Sequence, residues 1–231
     1  MSGLGDIVAV ACAEVFRGDG KKMVSPMAPL PKLGARLARA TFSPHIVLTD
    51  GVATILAPDG EPEGWMPFSR VFDTLWNGQR HVMMGASQID RFGNQNISCV
   101  GPFEKPKVQL LGVRGAPGNT VCHPTSYYVG RHTPRVFVPK VDMVCGVGTD
   151  RGAYELRRVV TNLGVFDFES IDGGLRCRSL HPGVTRAEVE AATGFPVHFA
   201  ADVATSRGPT EAELAWLERL DPGAPVRGTV A

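Results

Sequence analysis

Residues 85–96 read Gly-Ala-Ser-Gln-Ile-Asp-Arg-Phe-Gly-Asn-Gln-Asn and follow a short apolar run, His81 to Met84. Gln88, Asp90, Asn94 and Asn96 are polar and stand at even-numbered positions. Side chains two apart share one face of a strand or extended loop. Polar groups gathered on one face behind an apolar strand need hydrogen-bond partners. Two readings satisfy that need: a tight turn at Gly93-Asn94 closed by side-chain-to-backbone hydrogen bonds, or a polar wall facing a ligand.

Two further segments carry candidate chemistry. Gly112-Val113-Arg114-Gly115-Ala116-Pro117-Gly118-Asn119 has glycines three apart and no following Lys-Ser/Thr. That excludes a phosphate-cradling P-loop and does not fit a dinucleotide fingerprint. A glycine-rich loop after a strand lets backbone N–H groups approach a ligand oxygen and stabilise an oxyanion, with Arg114 able to meet a carboxylate or phosphate bidentately. The alternative is a plain turn with a solvated arginine. His45-Ile46-Val47-Leu48-Thr49-Asp50-Gly51 reads as a buried strand ending in a polar pair, where open α/β sheets place their sites. Asp-Gly is equally a common turn dipeptide.

Around these segments the patterns alternate. Helices are expected at 6–17, 33–40 and 68–76, the last with Phe68, Phe72 and Leu75 on one side, and strands at 22–25, 45–49 and 81–84. Strand-like runs follow at 108–111, 135–139, 154–160, 165–168 and 175–180. Two helices close the chain, each announced by a capping box: Thr185 with Glu188, and Thr210 with Glu213. This order predicts an α/β protein with a mixed sheet. One domain over 1–231 is expected, with residues 222–231, rich in Pro and Gly, as a flexible or partner-docking tail.

Composition narrows the function. With 43% apolar and 20% charged residues, the chain can bury a core and is not disordered. A net charge of +1 and no Lys/Arg run longer than two residues argue against nucleic acid as a partner. No apolar run approaches the roughly 18 residues of a membrane span. The stretch from Ile7 to Ala13 has no basic flank and is interrupted by Glu14, so it reads as a buried helix and not a signal peptide. The five cysteines, Cys12, Cys99, Cys122, Cys145 and Cys177, form no C-x-x-C pair. They indicate neither a metal site nor a disulfide framework, and are expected as free thiols in a reducing cytoplasm.

The run 85–96 resembles the Gly-Ala-x-Gln-x-Asp-x-x-Gly-Asn-x-Asn signature of class I coenzyme A (CoA) transferase β subunits, and residues 112–118 resemble the Gly-x-Gly-Gly-Ala loop that follows it. Residues 160–166, 180–185 and 193–195 resemble later family segments, so the resemblance covers about residues 6–222 in order. It implies an open mixed-sheet α/β fold of the CoA transferase type, an α subunit as partner in an αβ or (αβ)₂ assembly, a CoA thioester as substrate and no permanently bound cofactor. It also implies a substrate site formed from Thr49, Asp50, Gly51, Gln88, Asp90, Asn94, Asn96, Gly112, Arg114, Gly115, Ala116 and Asn119.

Two positions depart from the family. Aligned on Gly51, Thr49 stands where the transferases carry their nucleophilic Glu, and Arg114 replaces the second loop glycine. Transferase chemistry passes through an acyl anhydride and a glutamyl thioester on that Glu, which a Thr hydroxyl cannot form. Asp50 is one residue off and should point the other way. A β subunit without the nucleophile, sharing Glu63 to Phe68 with them as well, is similar to the ring-cleaving hydrolases of steroid catabolism. That branch implies retro-Claisen opening of a cyclic β-keto acyl-CoA, with the Glu base on the α subunit. The alternatives are the β subunit of a glutaconate-type CoA transferase and a non-catalytic scaffold subunit.

Overall fold

The computed structural model describes residues 3–230. The chain forms two compact units, one of residues up to Met84 together with those from Ser206 onward, the other Gly85–Thr205.

The first unit opens with α1 (Leu4–Glu14), whose residues from Ile7 to Ala13 are all buried, as the apolar run predicts. β1 (Met23–Pro26), α2 (Pro29–Thr41) and β2 (Val47–Thr49) form a parallel crossover. β3 (Thr54–Leu56) and β4 (Pro62–Trp65) add an antiparallel hairpin beside β2. α3 (Phe68–Asn77) leads to β5 (Arg80–Met84), which pairs in parallel with β1, so the strand order is β5-β1-β2-β3-β4. The buried stripe of α3 runs through Val71 and Leu75, while Phe68 at its start is half exposed.

The second unit begins with two short antiparallel pairs, β6 (Gln88–Ile89) with β7 (Gln95–Asn96) and β8 (Cys99–Val100) with β9 (Val108–Gln109). α4 (Ala116–Cys122) leads into β10 (Pro124–Val129), and β11 (Glu155–Thr161), β12 (Gly164–Asp167) and β13 (Arg176–Leu180) follow. α5 (Arg186–Ala191) carries the chain to β14 (His198–Thr205). The order is β10-β11-β12-β13-β14, parallel at both outer pairs and antiparallel between. Tyr127, Phe137, Val159, Val160, Phe166 and Cys177 fill its core.

Three expectations are corrected. Residues 135–139 form no strand; only Phe137 makes an isolated bridge, to Ile89, because its ring is drawn into the core against His132. The strand at 108–111 stops at Gln109, with Leu111 fully exposed. The glycine-rich segment is half helix, since Gly115 is the N-cap of α4. β10 and β14 were not expected.

Both capping boxes form. The Thr185 hydroxyl accepts from the Glu188 amide at 3.3 Å and Glu188 accepts from the Thr185 amide at 2.7 Å. Thr210 and Glu213 repeat this at 3.2 and 2.8 Å to start α6 (Glu211–Leu220) in the first unit. The segment expected as a tail lies along α1. Arg227, 5% exposed, reaches Asp6 at 2.7 Å, Glu218 at 2.7 Å and Asp221 at 3.2 Å. A Cβ on Gly5 would stand 2.1 Å from the Arg227 carbonyl oxygen, so only glycine allows the two segments to touch there.

His132 stacks on Phe137 with ring centroids 3.7 Å apart and sits between the Thr161 and Thr193 hydroxyls. Burial pulls its pKa down from 6.5 to about 3. The folded chain therefore holds this ring neutral while the unfolded chain protonates it, so stability should fall as pH drops below 6.5 towards 3. By pH 4 the contribution is on the order of 3 kcal/mol. Urea midpoints measured from pH 7 to pH 4 should fall more steeply for the wild type than for His132→Gln; equal slopes would remove His132 as the cause.

Candidate active site

In the first unit, β2 ends at Thr49 and turns at Asp50-Gly51. Thr49 is 2% exposed. Its hydroxyl lies 2.9 Å from the Val24 carbonyl and 3.4 Å from Ser25 Oγ, and accepts from the Gly51 amide at 3.1 Å. Asp50 points away from it: one carboxylate oxygen accepts from the amides of Val52, Ala53 and Thr54 at 2.8, 2.9 and 3.1 Å. Burial alone would raise this carboxyl, but the bonds from Val52, Thr54 and Ala53 outweigh it and hold it below its ordinary value. The turn thus offers an ionised, outward carboxylate and an inward hydroxyl whose polar capacity is already engaged.

In the second unit the signature closes on itself. Gln88 faces Asn96 across β6 and β7, and Asn96 Nδ2 donates to Gln88 Oε1 at 2.7 Å and to the Cys99 carbonyl at 2.6 Å. Asp90 Oδ1 accepts from the amides of Phe92 and Asn94, both at 3.0 Å. Asn94 Nδ2 donates to Asp90 Oδ2 at 3.0 Å and to Asp150 Oδ1 at 2.9 Å, while its Oδ1 takes the Gly148 amide at 2.8 Å. Burial pushes the Asp90 carboxyl up and the neighbouring Asp150 charge adds to that, against the hydrogen bonds from Asn94 and the backbone. This is the hydrogen-bonded turn among the two readings of the residues.

Three members of this network lie outside the motif and were not singled out in the sequence. Asp142 accepts from Gln88 Nε2 and from the Gly101 amide, each at 2.9 Å, and those bonds, the amide first, lower its pKa. Asp150 and Gly148 complete the set around Asn94. No local pattern marks partners more than fifty residues away in the chain.

The third segment is built differently. The Gly112 amide donates to the Ile97 carbonyl at 2.9 Å, pinning the loop to the signature. Arg114 is exposed, whereas Ala116 and Asn119 are 2% and 1% exposed. Asn119 is tied in through its main chain, its amide donating to the Gly115 carbonyl at 2.9 Å and its carbonyl accepting from the Thr125 hydroxyl at 3.2 Å. What this segment can offer a ligand is therefore the Arg114 guanidinium and the backbone amides around Gly115 and Ala116. Among the described residues no group of His, Cys, Asp or Glu is placed to hold a metal ion, and no helix is long and apolar enough to cross a membrane.

The open mixed sheets, the signature and the glycine-rich loop define a class. Residues 71–192 match the sequence pattern of the coenzyme A transferase family, and the chain belongs to that family. It is 53% identical over 229 residues to the cholesterol ring-cleaving hydrolase IpdB subunit of Rhodococcus jostii, covering 93% of this chain and 90% of that one. It is 32% identical to a subunit of the 3-oxoadipate CoA-transferase of Pseudomonas knackmussii, covering 83% and 84% of the two chains. The crystal structure of Rhodococcus jostii IpdAB superposes with a TM-score of 0.94 at 49% identity, over 100% of this chain and 98% of that one.

Proposed function

We propose that this chain is the β-type subunit of a heteromeric hydrolase that opens a steroid-derived cyclic β-keto acyl-CoA by retro-Claisen C–C cleavage. Its identity to ring-cleaving hydrolase subunits supports this reading. The observation that carries it is Thr49: the position equivalent to the transferase nucleophile holds a buried hydroxyl bonded to the Val24 carbonyl and the Gly51 amide. No carboxylate is available there to take an acyl group. In the proposed reaction, water adds to the ring ketone, the C–C bond breaks, and the electron pair passes to the thioester as an enolate that is then protonated. The Glu base is assigned to the α subunit. This chain contributes the pocket wall, with residues 85–96 as its frame and Arg114, Gly115 and Ala116 as donors to the developing or resident anions. Five free thiols support a cytoplasmic location.

The test is the assembled enzyme with a cyclic β-keto acyl-CoA. Ring opening should proceed with water alone and be indifferent to added acetate or succinate; acceptor-dependent CoA transfer would establish the transferase reading instead. In the same assay Thr49→Ala should keep at least about a tenth of the activity, a barrier change below about 1.4 kcal/mol. Complete loss, or an acyl adduct on Thr49 by mass spectrometry, would contradict the assignment.

Arg114 separates a binding wall from an inert scaffold. A guanidinium that holds a substrate carboxylate equally in ground and transition states acts on KM. Arg114→Lys keeps the charge and loses the planar fork, and should raise KM by about tenfold with kcat nearly unchanged. A fall in kcat would place the guanidinium on the enolate. Wild-type constants in both Arg114→Lys and Arg114→Ala would remove it from the site.

A further inference from the structure

One face of the first unit's sheet carries a buried polar row that the proposed chemistry leaves unused. Arg80 on β5, Ser25 on β1 and Thr49 on β2 stand on three adjacent strands and are 3%, 1% and 2% exposed. Arg80 Nε donates to Ser25 Oγ at 2.9 Å. Ser25 Oγ lies 3.4 Å from Thr49 Oγ1, which in turn meets the Val24 carbonyl at 2.9 Å and the Gly51 amide at 3.1 Å.

The shorter contact sets the direction through this row: Thr49 has one hydroxyl proton, and the Val24 carbonyl at 2.9 Å takes it ahead of Ser25 Oγ at 3.4 Å. A guanidinium only donates and stays protonated in proteins, so Ser25 accepts from Arg80 and turns its own proton towards Thr49. The Val24 carbonyl only accepts and the Gly51 amide only donates. The Thr49 proton therefore goes to Val24, and its lone pairs receive Gly51 and Ser25. The chain runs from Arg80 through Ser25 and Thr49 to Val24, headed by a charge that cannot be removed by pH.

We infer that Arg80 is a positioning residue that, acting through Ser25, holds the Thr49 hydroxyl inward and the Gly51 amide against it, so that the turn after β2 meets the acyl-CoA in a single conformation. This rests on residues 49–51 belonging to the substrate site. The turn is drawn tightly onto β1: Gly51 has a φ of +88°, and a Cβ there would stand 2.4 Å from the Pro26 carbonyl oxygen. Such a turn tolerates few conformations, and a hydrogen-bonded buried row selects among them at low local dielectric.

The test uses the assembled enzyme with Ser25→Ala, Arg80→Gln, Thr49→Val and the Ser25→Ala/Thr49→Val pair. Exchange of the Gly51 amide, measured without substrate, should speed up by about tenfold or more in Ser25→Ala and Arg80→Gln, with α1 amides unaffected. With substrate, Ser25→Ala should raise KM by about fivefold and spare kcat. The double variant should be no worse than Thr49→Val, because the row is already broken. Unchanged Gly51 exchange, or additive effects in the double variant, would overturn the inference. Should Arg80→Gln fail to fold, the Ser25 variants decide alone. The exchange readout needs no turnover, so a wild-type complex that does not open the ring counts against the proposed reaction and leaves the positioning role to be judged by exchange.

Discussion

Asn94→Ala is expected to destabilise the protein by about 3 kcal/mol, the sum of leaving several buried groups without partners at roughly 1–3 kcal/mol each. Asn94 is 1% exposed. Its amide nitrogen reaches both oxygens of Asp90 and one of Asp150, and its oxygen takes the Gly148 amide. Alanine removes all of these at once. Asp90 is already disfavoured as a charge by burial and by Asp150, and it would lose the side chain that compensates. The melting temperature of the assembled enzyme should fall by about 8 °C, at a few degrees per kcal/mol for a chain of this size. A drop below about 2 °C would mean that water replaces the amide in the network. Asn94→Asp should fare no better, since it keeps the acceptor for Gly148 and sets a third carboxylate beside two others.

Expressed without its α partner, the chain should show less than about a thousandth of the complex's turnover, a loss of about 4 kcal/mol in transition-state stabilisation. Thr49 offers no base, and its hydroxyl is engaged within the sheet. Asp50 is held ionised by three backbone amides and is correspondingly weak as a proton acceptor. The chain also exposes large apolar side chains, among them Trp65 and Trp76 in the first unit and Phe103 and Leu111 in the second. The measurement is kcat/KM for each polypeptide alone and for the recombined pair. Full turnover by the isolated chain would show that its own residues suffice.

What could be read from the sequence follows the range of the forces involved. Helix starts at Thr185 and Thr210 were legible because a capping box is complete within four residues. The turn at Asp90 to Asn94 was legible as one of two readings for the same reason. β10 was not: it is buried almost throughout, so no alternation marks it, and its first half is Pro124, Thr125 and Ser126. The run Arg135 to Pro139 misled in the opposite way, since its consecutive apolar, β-branched and aromatic residues Val136, Phe137 and Val138 mimic a buried strand while Phe137 is fixed by packing on His132. At the site, residue types were readable and partners were not. Gln88 finds Asp142, and Asn94 finds Asp150, across more than fifty residues. Thr49 was visible as a departure from a family pattern, but the Val24 carbonyl that receives its proton belongs to another strand.

The clasp at Arg227 has a bearing on how the chain comes off the ribosome. Asp6 and Arg227 are 221 positions apart, and the first unit includes both ends of the described chain while Gly85–Thr205 lies wholly between them. Synthesis delivers α1, β1 and α2 first, yet α6 and the segment that seats Arg227 emerge only after the second unit has been made. At about 5–20 residues per second, the early helices wait on the order of ten seconds for their last neighbours. The middle unit, contiguous in sequence, can fold during that interval. Over that interval α1, buried from Ile7 to Ala13 in the folded chain, lacks the neighbours that complete its covering, and the unit born first is the one completed last.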